Sequence, residues 1–179
     1  MQTSIKPWLR GLGLPLILLC AAQAPTALAG PATESASADS EISVLVGGRV
    51  RISRITDIDL GTYSGTGNLS GTARMCVYHN DGGRYSITPS SANARAGTFR
   101  VSGDVQFIRY SVNFEDDAGL SFSGVTSGQR LRNLQGHSRS PACQGQTNAT
   151  LTVEFAADDL QAAGGGTYTD VITLLVEPS

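Results

Sequence analysis

Two cysteines and two histidines are the residues whose types and spacing come nearest to chemistry. Cys76 and His79 lie three apart and Cys143 follows His137 by six, so residue type alone leaves both a metal site and a disulfide open. The second spacing is not a standard zinc pattern, and two ligands three apart are common by chance. Outside the cytoplasm an even pair of cysteines defaults to a disulfide, and export is argued below. Bridging Cys76 to Cys143 would close a loop of about 67 residues, for which the chain-entropy picture gives at most about 4 kcal/mol. The expectation is therefore a Cys76–Cys143 disulfide and no metal.

Catalysis finds little else to work with. Beyond the two histidines there is no Gly-x-Ser-x-Gly elbow, and the adjacent carboxylates Asp116-Asp117 and Asp158-Asp159 would point to opposite faces of a strand. Both pairs sit beside turn or cap signals and read as solvated. The Asp116-Asp117 loop lacks the spaced carboxylates of a calcium loop. Neither an enzyme nor a cofactor is expected; an exported enzyme would have to depend on His79 or His137.

Charge narrows the partners. Lys6 is the only lysine, and removing Lys6 and Arg10 with a leader takes the 13 basic residues to 11, all arginine, against 15 acidic ones. A net charge near −4 excludes a basic nucleic-acid footprint. Chemistry that needs a lysine, such as a Schiff base, a P-loop or an isopeptide cross-link, is excluded with it.

The leader occupies residues 1–29. Lys6 and Arg10 give a positive start, residues 11–22 are apolar, and Ala27-Leu28-Ala29 is the small-x-small pattern cut before Gly30. The apolar run is about a dozen residues, against roughly 20 for a bilayer span, so a cleaved secretory signal is preferred to an uncleaved anchor. Leu19 before Cys20 argues against lipoprotein processing. Residues 30–41 are small and polar and read as a flexible lead. No stable membrane insertion of the mature chain is expected.

From residue 42 onward one domain of alternating texture remains. Tyr85-Ser86-Ile87-Thr88, Phe99-Arg100-Val101-Ser102, Tyr110-Ser111-Val112-Asn113-Phe114, Leu120-Ser121-Phe122-Ser123 and Leu151-Thr152-Val153-Glu154-Phe155 alternate with period two, the mark of strands with one buried face. Asn80-Asp81-Gly82-Gly83, Asp116-Asp117-Ala118-Gly119 and Ala163-Gly164-Gly165-Gly166 punctuate them as turns. One short helical stretch is expected over residues 156–163. The pattern predicts an all-β, antiparallel sandwich.

Its two ends are the most informative. In residues 42–52, Ile42, Val44, Val46 and Val50 share one parity, with Gly48 a notch on the same face. Such a strand can insert into an apolar groove, backbone bonds giving affinity and alternate side chains filling pockets. It can equally be the first strand of the chain's own sandwich. Near the other end, Ile172, Leu174 and Val176 share a face and Val171 and Leu175 the other, so this strand should be central or groove-lining. It either belongs to a complete sandwich or borders a vacancy that another chain fills.

The leader, the alternating segment at 42–52, Leu60-Gly61-Thr62-Tyr63, a strand cysteine at Cys76, and Gly166-Thr167-Tyr168-Thr169-Asp170 followed by Ile172-Thr173-Leu174 together resemble the spore coat protein U-like pilin subunits of archaic chaperone-usher systems. The resemblance covers residues 42–178. It implies an incomplete immunoglobulin-like sandwich, held by a periplasmic chaperone, passed to an outer-membrane usher and joined head to tail with identical or related pilin subunits at the cell surface. Ile42, Val44, Val46, Gly48 and Val50 would then be the donor strand, and Ile172, Leu174 and Val176 part of the acceptor groove. Residues 51–60 hold no cysteine, whereas many members carry one in that strand, which places the chain in a divergent branch. A self-contained secreted binding module, recognising carbohydrate or another surface, is the competing expectation.

Overall fold

The structure, a computed structural model, describes residues 41–179; the expected signal at 1–29 and all but the end of the lead at 30–41 lie outside them. A first unit, Met1–Ser43, is represented only by residues 41–43, which carry no regular structure. The second unit, Val44–Ser179, holds every strand found among the described residues.

It is an all-β, immunoglobulin-like sandwich of antiparallel strands. The elements run β1 Val50–Ser53, β2 Leu69–His79, β3 Arg84–Ser91, β4 Phe99–Ser102, β5 Phe107–Asp116, β6 Ser121–Val125, β7 Leu131–Gln135, β8 Ala149–Phe155, α1 Ala157–Gln161 and β9 Ile172–Pro178. One sheet is ordered β1-β2-β8-β5-β4, with β6 also paired to β5; the other is β7-β3-β9. The period-two stretches become the central strands. In β5 the residues Ile108, Tyr110, Val112, Phe114 and Asp116 are buried in strict alternation, and β8 buries Ala149, Leu151, Val153 and Phe155. The register sets Val112 opposite Val153 and Phe114 opposite Leu151, so two apolar faces coincide. Met75, Val77, Tyr85, Ile87, Phe99 and Leu134 meet them from neighbouring strands of both sheets. The helix is shorter than its expected span, five residues.

Turn chemistry matches turn sequence, with one departure. Asp116, expected to be solvated, is only 4% exposed. Its Oδ1 accepts the Ala118 and Leu120 amides at 3.1 and 2.9 Å, and its Oδ2 accepts the Gln135 amide at 2.9 Å. An ionised carboxylate is well served by three backbone donors, so burial here closes the β5–β6 turn and ties β7 to it.

Cys76 and Cys143 are joined, their Cα atoms 5.8 Å apart. Cys76 lies on β2 opposite Ser53 of β1, and both cysteines are fully buried. Beside the bridge, Asn148 accepts the Val77 amide at 2.7 Å and donates to the Val77 carbonyl at 3.0 Å. The loop carrying Cys143 is thereby fastened twice to β2. Reducing the bridge, or replacing both cysteines by alanine, should lower unfolding stability by up to about 4 kcal/mol. Denaturant titration with and without reductant measures this; an unchanged midpoint would show that the bridge adds nothing.

Candidate functional site

The chain's first and last strands are where this sandwich differs from a closed one. β1 ends one sheet and β9 ends the other, each hydrogen-bonded along one edge among the described residues, to β2 and to β3 respectively. The two run as neighbours across the sandwich. Their core-facing side chains, Val50 and Ile52 on β1 and Ile172, Leu174 and Val176 on β9, pack against the core but remain half-buried, while central strands bury theirs almost completely. β1 and β9 thus meet along a seam lined by half-buried apolar side chains. An unpaired strand edge beside half-covered apolar side chains is a template for another strand.

The position of β9 is fixed by a polar corner. Thr169 exchanges backbone bonds with Ser102 of β4, at 2.8 and 3.0 Å, so the chain is still in the first sheet there. Three residues later Ile172 pairs with Ser91 of β3 in the second sheet. Asp170 occupies the crossing. Its Oδ1 accepts Ser91 Oγ at 2.8 Å, Asn93 Nδ2 at 2.9 Å and the Val171 amide at 2.8 Å, and its Oδ2 accepts the Tyr110 hydroxyl. Tyr168 stacks against the open side of Gly103, where a Cβ would come within 2.6 Å of the ring, and its hydroxyl donates to the Gly164 carbonyl at 2.8 Å. The run Gly166-Thr167-Tyr168-Thr169-Asp170 is thus a sheet-switching corner that sets where β9 begins.

The other wall is rooted at Asn80. Its Oδ1 accepts the Arg49 amide at 2.7 Å, its Nδ2 donates to the Gly47 carbonyl at 3.1 Å, and its own amide donates to the Arg49 carbonyl at 3.1 Å. Gly48 lies over the buried His79 ring: a Cβ there would sit 3.4 Å from His79 Cε1 and 3.7 Å from Pro178 Cβ. Gly48 and Pro178 thus close one end of the line along which β1 and β9 meet.

The residues expected to form one donor strand are divided by this root. Only Val50 is in a strand, opposite His79 on the chain's own β2, and Gly48 is packed beneath it against His79 and Pro178. Ile42, Val44 and Val46 are 91%, 85% and 60% exposed and, like the rest of residues 41–49, have no regular structure. Ile172, Leu174 and Val176 do share the core-facing side of β9. That strand is not central, however: it ends its sheet, and Val171 and Leu175 on its other face are 74% and 56% exposed. Leu60 and Ile58 cap the first sheet where Gly71 has no side chain, since a Cβ there would meet both within 2.6 Å.

The histidines do not gather ligands. His79 is buried with Nδ1 against the Asp81 carboxylate, and His137 bridges to Tyr78 through the backbone. No group of three potential metal ligands occurs among the described residues. Of two shallow surface hollows, one is lined by Arg109, Ser111, Glu154 and Asp159, where Ser111 donates to the Glu154 backbone carbonyl and Asp159 pairs with Arg109, and the other by Arg54, Thr72 and Arg74. The sequence places Asn80 in a turn and Asp170 in the closing motif, but not their bonds to Gly47 and Arg49 and to Ser91, Asn93 and Tyr110.

No family model matches the chain and no curated protein matches it. Among solved structures, the CupB6 tip adhesin from Pseudomonas aeruginosa is similar at 13% identity and a TM-score of 0.34, over 73% of this chain and 43% of that one. The chain spans less than half the length of that adhesin, and a likeness this low carries no argument.

Burial, reinforced by the bond to Asp170, raises the Tyr110 hydroxyl well above its ordinary value of about 10. Burial first, and then the negative charge of Asp116 and Asp117, raises Tyr85 likewise. A group that holds its proton more tightly when folded contributes stability below its unfolded pKa and loses it as pH rises beyond that value. Unfolding stability should therefore fall steadily above about pH 10, with Tyr110→Phe flattening the fall and costing about 2 kcal/mol at neutral pH. Thermal melts from pH 7 to 11.5 measure both; an equally steep alkaline loss in the variant would remove Tyr110 as its source.

Proposed function

We propose that this chain is a structural, non-enzymatic subunit of a surface fibre, exported through the periplasm and joined to a second copy by strand insertion. The observation that carries the reading is the conjunction of an apolar seam between two sheet-terminal strands with an exposed, alternating apolar segment just before β1. The resemblance to spore coat protein U-like pilins points the same way and adds a periplasmic chaperone and an outer-membrane usher as assembly partners.

The dimensions are compatible. At about 3.4 Å per residue, an extended segment over residues 42–46 reaches about 14 Å between its end Cα atoms, the same as Ile172 to Val176 on β9. Three apolar residues of one parity, Ile42, Val44 and Val46, would face three half-buried ones, Ile172, Leu174 and Val176. Backbone bonds along β9 would satisfy its free edge while the alternate side chains fill the seam. Such a ladder breaks only as a unit, which suits a fibre that must hold against pulling. Adhesion or biofilm formation is the use such a fibre serves.

Val44→Asp or Val46→Asp should abolish assembly and leave a folded monomer, because each places a charge in an apolar seam. The check is gel mobility of exported material without boiling. A regular ladder that collapses to one band on heating is expected for the unaltered chain and a single monomer band for either variant. A lone monomer band from the unaltered chain would instead favour a self-contained binding module.

A further inference from the structure

The root of the N-terminal segment is held by one side chain from the following turn. Asn80 uses acceptor, donor and backbone amide together on Gly47 and Arg49, across 31 residues of sequence. Immediately beyond it, Gly48 fits over His79 and against Pro178, where a larger residue would press on the imidazole. From Val50 the chain is committed to its own β2, through Val50 opposite His79 to Ser53 opposite the disulfide-bonded Cys76. Before Gly47 nothing comparable holds the backbone among the described residues, and Val44 and Leu45 are 85% and 95% exposed.

We propose that Asn80 is a positioning residue that clamps the root of the donor segment, so that residues 42–46 leave the body and residues 47–53 stay with it. This rests on the strand-insertion reading above, and concerns how much of the segment is free to take part. The clamp makes the link between copies short and protected. Arg49 is the first arginine after the described start, and its amide and carbonyl are both bonded to Asn80, so a protease that cuts after arginine cannot extend the backbone there without breaking the clamp.

Trypsin tests the clamp on the monomer and on the assembled material. The unaltered chain should resist cleavage after Arg49. Asn80→Ala should be cut there at least about tenfold faster at an unchanged melting midpoint, as expected when a local opening costing about 1.4 kcal/mol or more is removed. Asn80→Asp keeps the acceptor for the Arg49 amide and loses the donor to Gly47, so its cleavage rate should fall between the two. On assembled material the same difference should appear at Arg49, read apart from any cut after the exposed Arg54. Equal cleavage of the unaltered chain and Asn80→Ala would overturn the clamp.

A lock separates this from the strand-insertion reading itself. Arg51 and Tyr78 face each other directly across β1 and β2, so Arg51→Cys with Tyr78→Cys can tie the root covalently to the body. The locked chain should assemble as well as an Arg51→Ser, Tyr78→Ser control. Assembly lost only on locking would show that residues beyond Gly47 must leave, and would overturn the proposal while sparing strand insertion. If neither assembles, the cleavage comparison on monomer decides the clamp alone. If the Val44→Asp and Val46→Asp chains assemble normally, strand insertion fails whatever Asn80 does.

Discussion

A β-strand needs a partner along each edge or a reason to go without one, and that requirement organises this molecule. β5 and β8 are paired on both sides and bury their inward residues almost completely. β1 and β9 are paired on one side only among the described residues, and their inward residues stay half-buried. Terminal position alone does not cause this, because β4 and β7 also end their sheets and bury Phe99, Leu131 and Leu134 almost completely; it is the flank formed by β1 and β9 that is left half-covered. The same residues in the middle of a sheet would be ordinary core. Apolar side chains and free backbone groups left along one line form a surface that water solvates poorly on both counts, and a strand satisfies both at once.

Because apolar packing is non-directional, it cannot by itself say where an edge strand starts or how far it slides. Directional bonds do that here. Asp170 gathers Ser91, Asn93, Tyr110 and the Val171 amide at the point where the chain changes sheets. Asn80 and the Cys76–Cys143 bridge hold the opposite wall through Gly47, Arg49 and the Ser53–Cys76 pair. The register of β9 is thereby fixed, and a slip of one residue would turn Leu175 inward and Leu174 out.

Much of the body was legible in the residues, because period two reports which side chains share a face. Tyr110 to Phe114 and Leu151 to Phe155 alternate, and they became central strands with buried inward faces. The cysteine pair was legible from the expected compartment. What periodicity does not report is which strand lies beside which. The two-sided apolar pattern of residues 171–176 fits a central strand and a terminal one equally well, and the structure places it at an edge with Leu175 outward. The parity shared by Ile42, Val44, Val46, Gly48 and Val50 suggested one continuous element; a side chain 31 residues away divides it. Asn80 and Asp116 read as turn residues, which they are, but the partners Gly47 and Gln135 belong to distant segments that local sequence does not name.

Chain direction bears on whether the free segment fills its own seam or another's. β1 begins beside Pro178, at the closed end of the seam, and runs inward next to β9. Under the proposed strand insertion, residues before Gly47 would leave the body at that end. To enter the seam of its own domain the segment would have to reverse at Gly47 and Gly48, and those residues are already held: the Gly47 carbonyl by Asn80, Gly48 by the His79 ring and Pro178. A second copy imposes no such reversal, since an outgoing extended segment can meet its seam directly. The same contacts that root β1 oppose such a reversal, and under the proposed strand insertion they would favour a second copy as the partner.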